Sequence, residues 1–579
     1  MNYVAQILIT VATFAVLAGS LNLVLGYAGV FSLVHAAFFG IGAYTTGQLV
    51  LLLGVPFPLD MIAAFLLPAV IAGLLSLPLA RLAHEYVIVG TLAMQLVLSN
   101  VFLNWQPVTG ASYGLFGITR PSVAGFELTT QPSYAAFAIG VAALCFAALW
   151  WVVQSPFGLA LKGLREDDRL AQSFGKDVNR QRVVAFAVGS GIAGVAGMLY
   201  ARFVGYIDPS TFAIDQSLAA VTILVVGGLA NLWGTLISAL ILEAVPQVLR
   251  FIPATSNAVP QLQLLFYGVL LTALVRLRPQ GLIAERPVLR AGPVVAPSAP
   301  IVVPSAPFVI PRNPSPGGAD SSLDAQNDRP TLEIRDLSKR FGGLRAVDGL
   351  SLTIPPGRVT GIIGPNGAGK TTVFNMITGY LRPDGGDITY NGQDLTGLQP
   401  FEIARLGISR SFQDLRVFAR MTVLENVVLA IQPVDSERLL GPRRQQAQVK
   451  HRALAVLEQF GLRDRADDRV GQLSYAQQKL LVVATLVARN DPFILLDELA
   501  AGLDQESVHR FAGLVRDIAA GGRTVCLIEH NLDFVWQTAD TVFVLDQGKL
   551  LAQGTPEEIQ RDTRVAEIYF GGTQAMANA

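Results

Sequence analysis

A glycine-rich stretch with the spacing of a phosphate-binding loop lies in the second half of this 579-residue chain. An alternating apolar sequence precedes it, and the apolar-periodic sequence VFNMITG follows it. Strand, glycine-rich loop and helix in this order let backbone N–H groups turn onto phosphate oxygens at a helix N-terminus. Lys370 is expected to reach the β- and γ-phosphates, and the Thr371 hydroxyl to hold Mg²⁺. The predicted nucleotide-binding residues are Gly364, Pro365, Asn366, Gly367, Ala368, Gly369, Lys370, Thr371 and Thr372.

Two adjacent carboxylates end the apolar stretch PFILLDE at 492–498, which has the composition of a buried strand. Asp497 is expected to hold Mg²⁺ directly or through water. Glu498 is expected to polarise the attacking water as a general base. The pair is a weak signal alone and becomes convincing because it follows a phosphate-binding loop in the same chain.

Further polar elements follow the loop in a fixed order. Gln413, in SRSFQDLRVF, is placed to sense Mg²⁺ and the γ-phosphate, and His530, in LIEHN, to donate from a neutral imidazole to the γ-phosphate. The sequence LSYAQ begins at Leu473 before the acidic strand, and AAGLD ends at Asp504 after it. Together these elements predict a site that binds and hydrolyses a nucleoside triphosphate.

The elements that position this site occupy only half of the chain, because charge is distributed unevenly. Residues 1–286 carry 13 Lys and Arg and 11 Asp and Glu, whereas the remainder carries the other 62 charged residues. The net charge is zero and no long basic tract is present, so we expect no nucleic-acid partner. The two cysteines, Cys145 and Cys526, indicate neither a disulfide framework nor a metal site. A half so poor in charge is expected to lie in a lipid bilayer.

Apolar runs long enough to cross a bilayer recur through the first half and predict a polytopic α-helical domain with about nine spans. The N-terminus lacks a basic leader and a cleavage site, which favours a retained first span. Six Lys and Arg place the segment 154–182 in the cytoplasm, and Arg81, Arg276 and Arg278 fall on the same side if the N-terminus lies outside. The predicted spans are 4–25, 31–53, 59–80, 86–104, 134–153, 183–204, 217–232, 234–250 and 262–277.

Several residues within the spans admit a structural and a functional interpretation. The glycines of GSGIAGVAG at 189–197 are expected to allow close helix packing. His35 is either a transport-related group or the partner in a satisfied interhelical hydrogen bond. Glu243 has the same two interpretations, with a structural partner slightly favoured.

The sequence also predicts how the two halves are joined. Leu161, Leu164, Leu170 and Phe174 are close to helical spacing, which predicts an amphipathic cytoplasmic helix able to dock on a soluble domain; a solvated charged loop is the alternative. A stretch with ten prolines predicts a loose tether. The expected domains are a transmembrane domain at 1–286, a linker at 287–330 and a nucleotide-binding domain at 331–579.

The motifs GPNGAGKT, Gln413, LSYAQ, ILLDE, AAGLD and His530 together resemble the ATPase domain of ABC transporters over essentially all of 331–579. FGGLRAVDGLSL and ARLGISRSFQDLRVFARMTVLENV resemble the branched-chain amino acid import subfamily in particular. The resemblance implies an α/β P-loop ATPase fold with a helical subdomain. It implies that Phe341 stacks on adenine, and that two such domains sandwich ATP between one phosphate-binding loop and the partner's signature. The implied signature and D-loop residues are Ser474, Gln477 and Asp504.

The first half resembles the permease of the same system, through GYAGVFSLVHAAFFGIGAYT, SPFGLALKGLREDDRLAQSFG and RPQGLIA. The resemblance implies ATP- and Mg²⁺-dependent import of Leu, Ile, Val or a related small amino acid across the bacterial inner membrane. The implied partners are an extracytoplasmic solute-binding protein and either a second permease and ATPase or a second copy of the chain. Alternatives are an importer of urea or short amides, a fused exporter with about six long spans, and a soluble ABC-type ATPase.

Three positions depart from the family pattern. Ala476 replaces the second glycine of the signature, where a Cβ is expected to crowd the partner's γ-phosphate. Leu499 replaces the proline usual after the glutamate, and Val34 stands where the permease resemblance leads us to expect glycine. The signature change leads to the hypothesis of one strong and one weakened ATP site in a heterodimer.

Overall fold

The computed structural model describes two compact units, and each unit is built from three separate segments of the chain. The first unit comprises Met1–Glu166, Val178–Val288 and Glu437–Gly441, and the second Asp167–Asp177, Leu289–Ser436 and Pro442–Ala579. The residues described within them are 2–79, 82, 84–123, 125–249, 265, 268–270, 272–273, 276–278, 280–291, 331–439 and 444–570.

The first unit is almost entirely helical, as its apolar composition predicts. Its short strands form two pairs near the long loops: β1 (Leu115–Phe116) with β4 (Tyr206–Ile207), and β2 (Ser122–Val123) with β3 (Phe126–Glu127). The first helix continues into a π-helical turn at Asn22–Tyr27. The helices are α1 (Asn2–Leu21), α2 (His35–Leu53), α3 (Leu59–Leu79), α4 (His84–Asn104), α5 (Gln106–Thr109), α6 (Gln131–Val153), α7 (Pro156–Glu166), α8 (Asp168–Ser173, which belongs to the second unit), α9 (Val178–Val204), α10 (Ile214–Gly227) and α11 (Leu232–Leu249).

The expected polytopic helical region is present, but the count of nine spans is not confirmed. Among the described residues, six helices are long and apolar enough to cross a membrane: α1 with its π-helical turn, α2, α3, α4, α6 and α9. Helices α10 and α11 pass this test only as a pair and are bent by 119° at the break between them. The predicted spans 217–232 and 234–250 are therefore two halves of one broken element, interrupted where Gly228 adopts φ 108°. Half of the residues of the predicted span 262–277, and Arg81, lie outside the described residues.

Glycines on α9 permit close helix contacts in this unit. A Cβ built on Gly194 would lie 2.1 Å from the carbonyl oxygen of Ala64 on α3. A Cβ on Gly197 would lie 2.0 Å from the carbonyl oxygen of Phe39 on α2. Backbone atoms cannot move aside as a flexible side chain can, so the packing interpretation of the 189–197 stretch accounts for these two glycines.

Ionisable side chains within the first unit differ in whether they have a hydrogen-bond or ion-pair partner among the described residues. Asp60 and Arg202 form a buried ion pair, with Arg202 Nη2 2.7 Å from Asp60 Oδ2. The buried His35 lies 3.2 Å from Ser32 Oγ through Nδ1, a contact close in sequence, and its Nε2 has no hydrogen-bond partner in the described part of the chain. The interhelical hydrogen bond, one of the two interpretations of His35, is therefore absent from that part. Glu243 lies half-buried on α11.

The second unit contains two sheets. The larger is six-stranded in the order β10-β11-β12-β7-β13-β14 and is parallel except for the β13–β14 pair. The smaller is antiparallel in the order β6-β5-β8-β9. The strands are β5 (Leu332–Phe341), β6 (Leu344–Ile354), β7 (Val359–Ile363), β8 (Gly385–Tyr390), β9 (Gln393–Asp394), β10 (Ile408–Arg410), β11 (Phe493–Asp497), β12 (Thr524–Ile528), β13 (Thr541–Asp546) and β14 (Lys549–Gly554).

Strands β7, β11 and β12 are buried at every position, as expected for the centre of a sheet covered on both faces. Functional residues of such sheets gather at the carboxyl ends of the strands, which lie at one edge. The helices of this unit besides α8 are α12 (Lys370–Ile377), α13 (Pro400–Arg405), α14 (Val423–Ile431), α15 (Arg444–Gln459), α16 (Tyr475–Arg489), α17 (Gln505–Ala520), α18 (Leu532–Thr538), α19 (Pro556–Arg561) and α20 (Thr563–Phe570).

The single amphipathic helix expected at 161–174 is interrupted. Asp167 has an extended backbone and caps α8, because its carboxylate accepts a hydrogen bond from the N–H of Leu170. The segment is therefore divided between α7 in the first unit and α8 in the second. Of the predicted linker 287–330, residues 292–330 lie outside the described part of the chain.

Candidate nucleotide site

The glycine-rich loop connects β7 to α12, as the sequence pattern predicts. Gly367 and Gly369 adopt φ of 84° and 96°, in the left-handed region that favours glycine. A Cβ on Gly369 would also lie 2.3 Å from the carbonyl oxygen of Ala346. Glycine is therefore required at position 369 by both backbone conformation and space.

Lys370 begins α12 and turns back into the loop. Its Nζ donates to the carbonyl oxygens of Gly364 at 2.7 Å and Pro365 at 3.0 Å. Burial lowers the pKa of Lys370, while the nearby Glu498 and Asp497 oppose that shift. The loop thus encloses a cation at the N-terminus of a helix, an arrangement suited to binding phosphate.

Asp497 ends β11, and only one of its two carboxylate oxygens has a hydrogen-bond partner among the described residues. Its Oδ2 accepts from Arg410 Nη2 at 2.9 Å, and both side chains are buried. Its Oδ1 is buried and has no hydrogen-bond partner among the described residues. Burial raises the pKa of Asp497, although the guanidinium of Arg410 acts in the opposite direction. One carboxylate oxygen is therefore fixed by a cation and the other remains available as a ligand.

This unpartnered oxygen fits a hard cation such as Mg²⁺, which prefers oxygen ligands. No cluster of three or more His, Cys, Asp or Glu side chains in the described part of the chain could hold a metal by itself. A Mg²⁺ ion commonly takes one or two protein ligands and completes its shell with phosphate and water. Asp497, Thr371 and Gln413 are the residues that would hold it, and the ion would neutralise charge on the phosphates.

Glu498 follows the strand in a left-handed conformation, with φ 51°. Its backbone N–H donates to the carbonyl oxygen of Ile528 at 2.9 Å. Its carboxylate Oε1 accepts from Gln413 Nε2 at 3.0 Å and lies 3.2 Å from His530 Nε2. The structure thus brings together the three residues to which the sequence assigns hydrolytic roles, with Glu498 at the centre.

The signature residues lie at the start of α16. Ser474 and Gln477 form a reciprocal capping box, each side chain paired with the backbone of the other. Ala476 lies in the first turn of the helix, so the local backbone does not require glycine at this position. Asp504 caps α17 by accepting from the N–H of Ser507 at 2.8 Å. Phe341, at the end of β5, is 50% exposed and leaves a ring available for stacking.

A cavity within the second unit is lined both by residues of the candidate site and by residues from the α8 segment. Leu170 and Phe174 line it together with Gln413, Asp497 and Glu498. The segment predicted to dock on the soluble domain thus borders the same cavity as the predicted catalytic side chains.

Sequence reasoning missed three charged residues around the site: Arg410 beside Asp497, Lys479 on α16, and Glu529 after β12. Lys479 and Glu529 are 4% and 2% exposed. All three are charged residues placed next to apolar runs. Because such side chains are seldom buried without a partner, that placement is the signal that could have identified them.

Comparison with protein families gives three matches along the chain. Residues 3–275 match the family described as "Branched-chain amino acid transport system / permease component". Residues 347–501 match "ABC transporter", and residues 549–575 match "Branched-chain amino acid ATP-binding cassette transporter".

Individual relatives match the second half. The high-affinity branched-chain amino acid transport ATP-binding protein LivG of Escherichia coli is 38% identical over 251 residues, covering 42% of this chain and 98% of LivG. BraF of Pseudomonas aeruginosa is also 38% identical, with the same coverage. A crystal structure of a nucleotide-free ATP-binding cassette from an ABC transporter is 33% identical, covers 42% of this chain and all of that one, and has a TM-score of 0.38.

Proposed function

Since this chain belongs to the branched-chain amino acid ABC transporter family, with permease and ATPase regions in one polypeptide, we propose that it imports Leu, Ile, Val or a related small amino acid across the bacterial inner membrane. The family makes it an ATP-hydrolysing transporter. The expected resemblance is confirmed, and the permease match does not favour a soluble ATPase. Six long spans were the expectation for an exporter, so the span count does not separate the two directions; the permease match favours import.

The proposed hydrolytic mechanism follows from the site. The glycine loop and Lys370 hold the phosphates, and Phe341 stacks on the base. Glu498 takes a proton from the attacking water. Gln413 and His530 orient the Glu498 carboxylate, since both lie within hydrogen-bond reach of it. His530 also donates to the γ-phosphate when its imidazole faces the nucleotide.

One observation carries the proposed coupling to transport: residues Asp167–Asp177, which continue directly from α7 and lead directly to α9, belong to the ATPase unit. Asp167 Oδ2 lies 2.6 Å from Arg416 Nη1, and Lys176 Nζ donates to the carbonyl oxygen of Gln432 at 3.0 Å. The ring of Phe174 meets that of Phe418 edge to face at 6.0 Å. Phe174 also lines the cavity that contains Gln413 and Glu498. We therefore expect a change at these side chains to reach the chain that connects the candidate spans α6 and α9.

The proposed assembly contains two ATPase domains, supplied either by a second copy of this chain or by a separate permease and ATPase. A solute-binding protein delivers the amino acid from outside. The segment 154–182 and the ATPase unit lie in the cytoplasm.

The decisive experiment uses the full chain in proteoliposomes with ATP, Mg²⁺, labelled leucine and the cognate solute-binding protein. We expect leucine to accumulate only when ATP lies on the ATPase side and the binding protein on the opposite side, and hydrolysis to rise when both are present. ATP hydrolysis at one unchanged rate without accumulation would overturn the proposal. Accumulation of urea or acetamide instead of leucine would replace the substrate class.

The variant Arg416→Gln tests coupling, because it removes the ion pair to Asp167. We expect ATP hydrolysis to persist while leucine accumulation per ATP falls. Arg465→Gln is the matched control, since Arg465 pairs with Asp468 on an exposed surface of the same unit. Equal coupling ratios in the two variants would contradict the proposed role of the 167–177 segment.

A further inference from the structure

A buried charged cluster fixes the turn that carries Glu498. The turn runs from Glu498 to Leu503, and its Leu499 and Ala500 are 5% and 4% exposed. Because Glu498 adopts a positive φ, its conformation is one that a residue with a Cβ rarely takes without support. The surrounding contacts must therefore stabilise it.

Lys479 holds this turn from one side. Its Nζ donates to the carbonyl oxygen of Leu499 at 2.8 Å and to that of Ala501. Two carbonyls separated by one residue can meet the same ammonium only when the chain between them is bent. Lys479 thus stabilises the bend directly after Glu498. Its ammonium group has three N–H donors and can bond both carbonyl oxygens at once.

Glu529 holds the turn from the other side. Its Oε1 accepts from the N–H of Ala500 at 2.6 Å, a short hydrogen bond. Three polar groups of the turn therefore pair with these two buried side chains: the carbonyl oxygens of Leu499 and Ala501 with Lys479, and the N–H of Ala500 with Glu529. Removing either partner leaves a buried backbone group or charge without compensation, which is costly.

The same lysine belongs to the helix that begins with the signature. Its Nζ lies 5.0 Å from the ring centroid of Tyr475, the first residue of α16. A Cβ built on Gly502 would lie 3.5 Å from Cε1 of that ring, so Tyr475 covers the far end of the turn. The signature helix and the glutamate turn are thus in contact at two points.

We propose that Lys479 and Glu529 are positioning residues that hold Glu498 in its hydrolytic conformation and connect it to the signature helix. Their side-chain hydrogen bonds described above go to the turn, so we expect both residues to act on Glu498 through the turn. This inference rests on the proposed role of Glu498 as the general base.

The test is steady-state ATP hydrolysis by the full chain with the variants Lys479→Met and Glu529→Leu. We expect kcat to fall about 10- to 100-fold, since a displacement of about 1 Å in a reacting group has costs of this size. KM for ATP should change less than about twofold, because an interaction needed only for the chemical step has been removed. Lys479→Arg and Glu529→Gln keep a donor and an acceptor, respectively, and should retain most of the activity.

Arg452→Met is the matched control, because Arg452 also binds a carbonyl of the signature helix with a charged side chain. Arg452, on α15, is half-buried, and its Nη2 donates at 2.6 Å to the carbonyl oxygen of Ala488, near the opposite end of α16. We expect this variant to lower Tm while keeping kcat. If Lys479→Met does not fold, Lys479→Gln, which can serve one carbonyl, should show an intermediate kcat at unchanged KM.

Three outcomes would overturn the inference: kcat within about twofold of wild type in the Lys479 and Glu529 variants, a proportional rise in KM, or an equal loss in Arg452→Met. The variant Glu498→Gln distinguishes a failure of the positioning role from a failure of Glu498 as the general base. An active Glu498→Gln variant would refute the general base itself, whereas an inactive one together with unaffected Lys479 and Glu529 variants would refute only the positioning role.

Discussion

Arg410 donates to Asp497 from inside the protein, where the two side chains are only 3% and 0% exposed. The guanidinium also reaches Asn375 Oδ1 at 2.7 Å and Thr378 Oγ1 at 3.0 Å, both on or next to the helix that follows the phosphate loop. Arg410 therefore joins the loop helix to the strand that carries the predicted metal ligand. It also determines which oxygen of Asp497 remains available.

Replacing Arg410 by methionine should destabilise the protein strongly, since it leaves Asp497 buried without its cation. Removing one partner of a buried ion pair typically costs about 3–5 kcal/mol. We expect a clear fall in Tm, measured on the full chain in detergent, and a weaker fall in the double variant Arg410→Met/Asp497→Leu. The control Arg345→Met breaks the exposed pair with Asp348 and should change Tm far less. Equal falls in Tm in Arg410→Met and Arg345→Met would contradict the stabilising role of the buried Arg410–Asp497 pair.

Close helix packing at Gly194 gives a prediction for the membrane region. The Cβ of Gly194→Val would lie 2.1 Å from the carbonyl oxygen of Ala64, so α3 and α9 must separate to admit the new side chain. We expect loss of monodisperse protein on size exclusion in detergent.

The control is Gly140→Val on α6, where a Cβ would meet nothing within 4 Å. Both positions are glycines inside spanning helices, so the change in helix propensity is the same. Normal yield and Tm of Gly194→Val would show that α3 and α9 adjust without cost.

The local features of the site are predictable from the sequence, because each motif is read from neighbours along the chain. The phosphate loop, the acidic strand end and the segment before His530 are all strand-to-loop transitions with a distinct composition. Their convergence on Glu498 follows from the rule that parallel strands present their carboxyl ends at one edge.

Contacts between distant parts of the chain are not predictable in this way. Lys479 pairs with carbonyls 20 and 22 positions later, and Arg410 with a carboxylate far along the sequence, which no periodicity encodes. Sequence reasoning overlooked the break at Asp167, where the Asp167 side chain caps a new helix. The six-residue interval between Leu164 and Leu170 does not fit the three- or four-residue spacing of one helix face and could have indicated it. Hydropathy divides α10 and α11 into two predicted spans because it measures apolar length and not direction.

The buried Glu529 predicts how stability depends on pH. Burial raises its pKa from 4.5 to about 7, although the Ala500 N–H and Lys479 lower it. Between these values the folded state binds more protons than the unfolded state, so the free energy of unfolding falls as pH rises and levels off above about 7. We expect Tm of the full chain to fall from about pH 5 to about pH 8 more steeply in wild type than in Glu529→Gln. Parallel Tm profiles would show that Glu529 does not titrate in this range.

The substitution in the signature gives the last prediction, from two effects of opposite sign. Ala476 lies in the first turn of α16, where alanine is a better helix former than glycine by about 0.5–1 kcal/mol. Ala476→Gly should therefore lower the stability of the ATPase unit slightly. Under the hypothesis of one strong and one weakened site, it should raise ATP turnover, because removing the Cβ lets the backbone approach the partner's γ-phosphate.

The matched control is Ala484→Gly, on the same helix and away from the signature. It should lower Tm more than Ala476→Gly does, because Ala484 is also buried, and it should not raise turnover. It therefore separates a loss of helix stability from the effect at the nucleotide. ATP hydrolysis by the assembled complex checks both variants. Unchanged turnover in Ala476→Gly, at a Tm no lower than that of Ala484→Gly, would mean that the alanine does not weaken the site, and the two ATP sites would then be equivalent at this position.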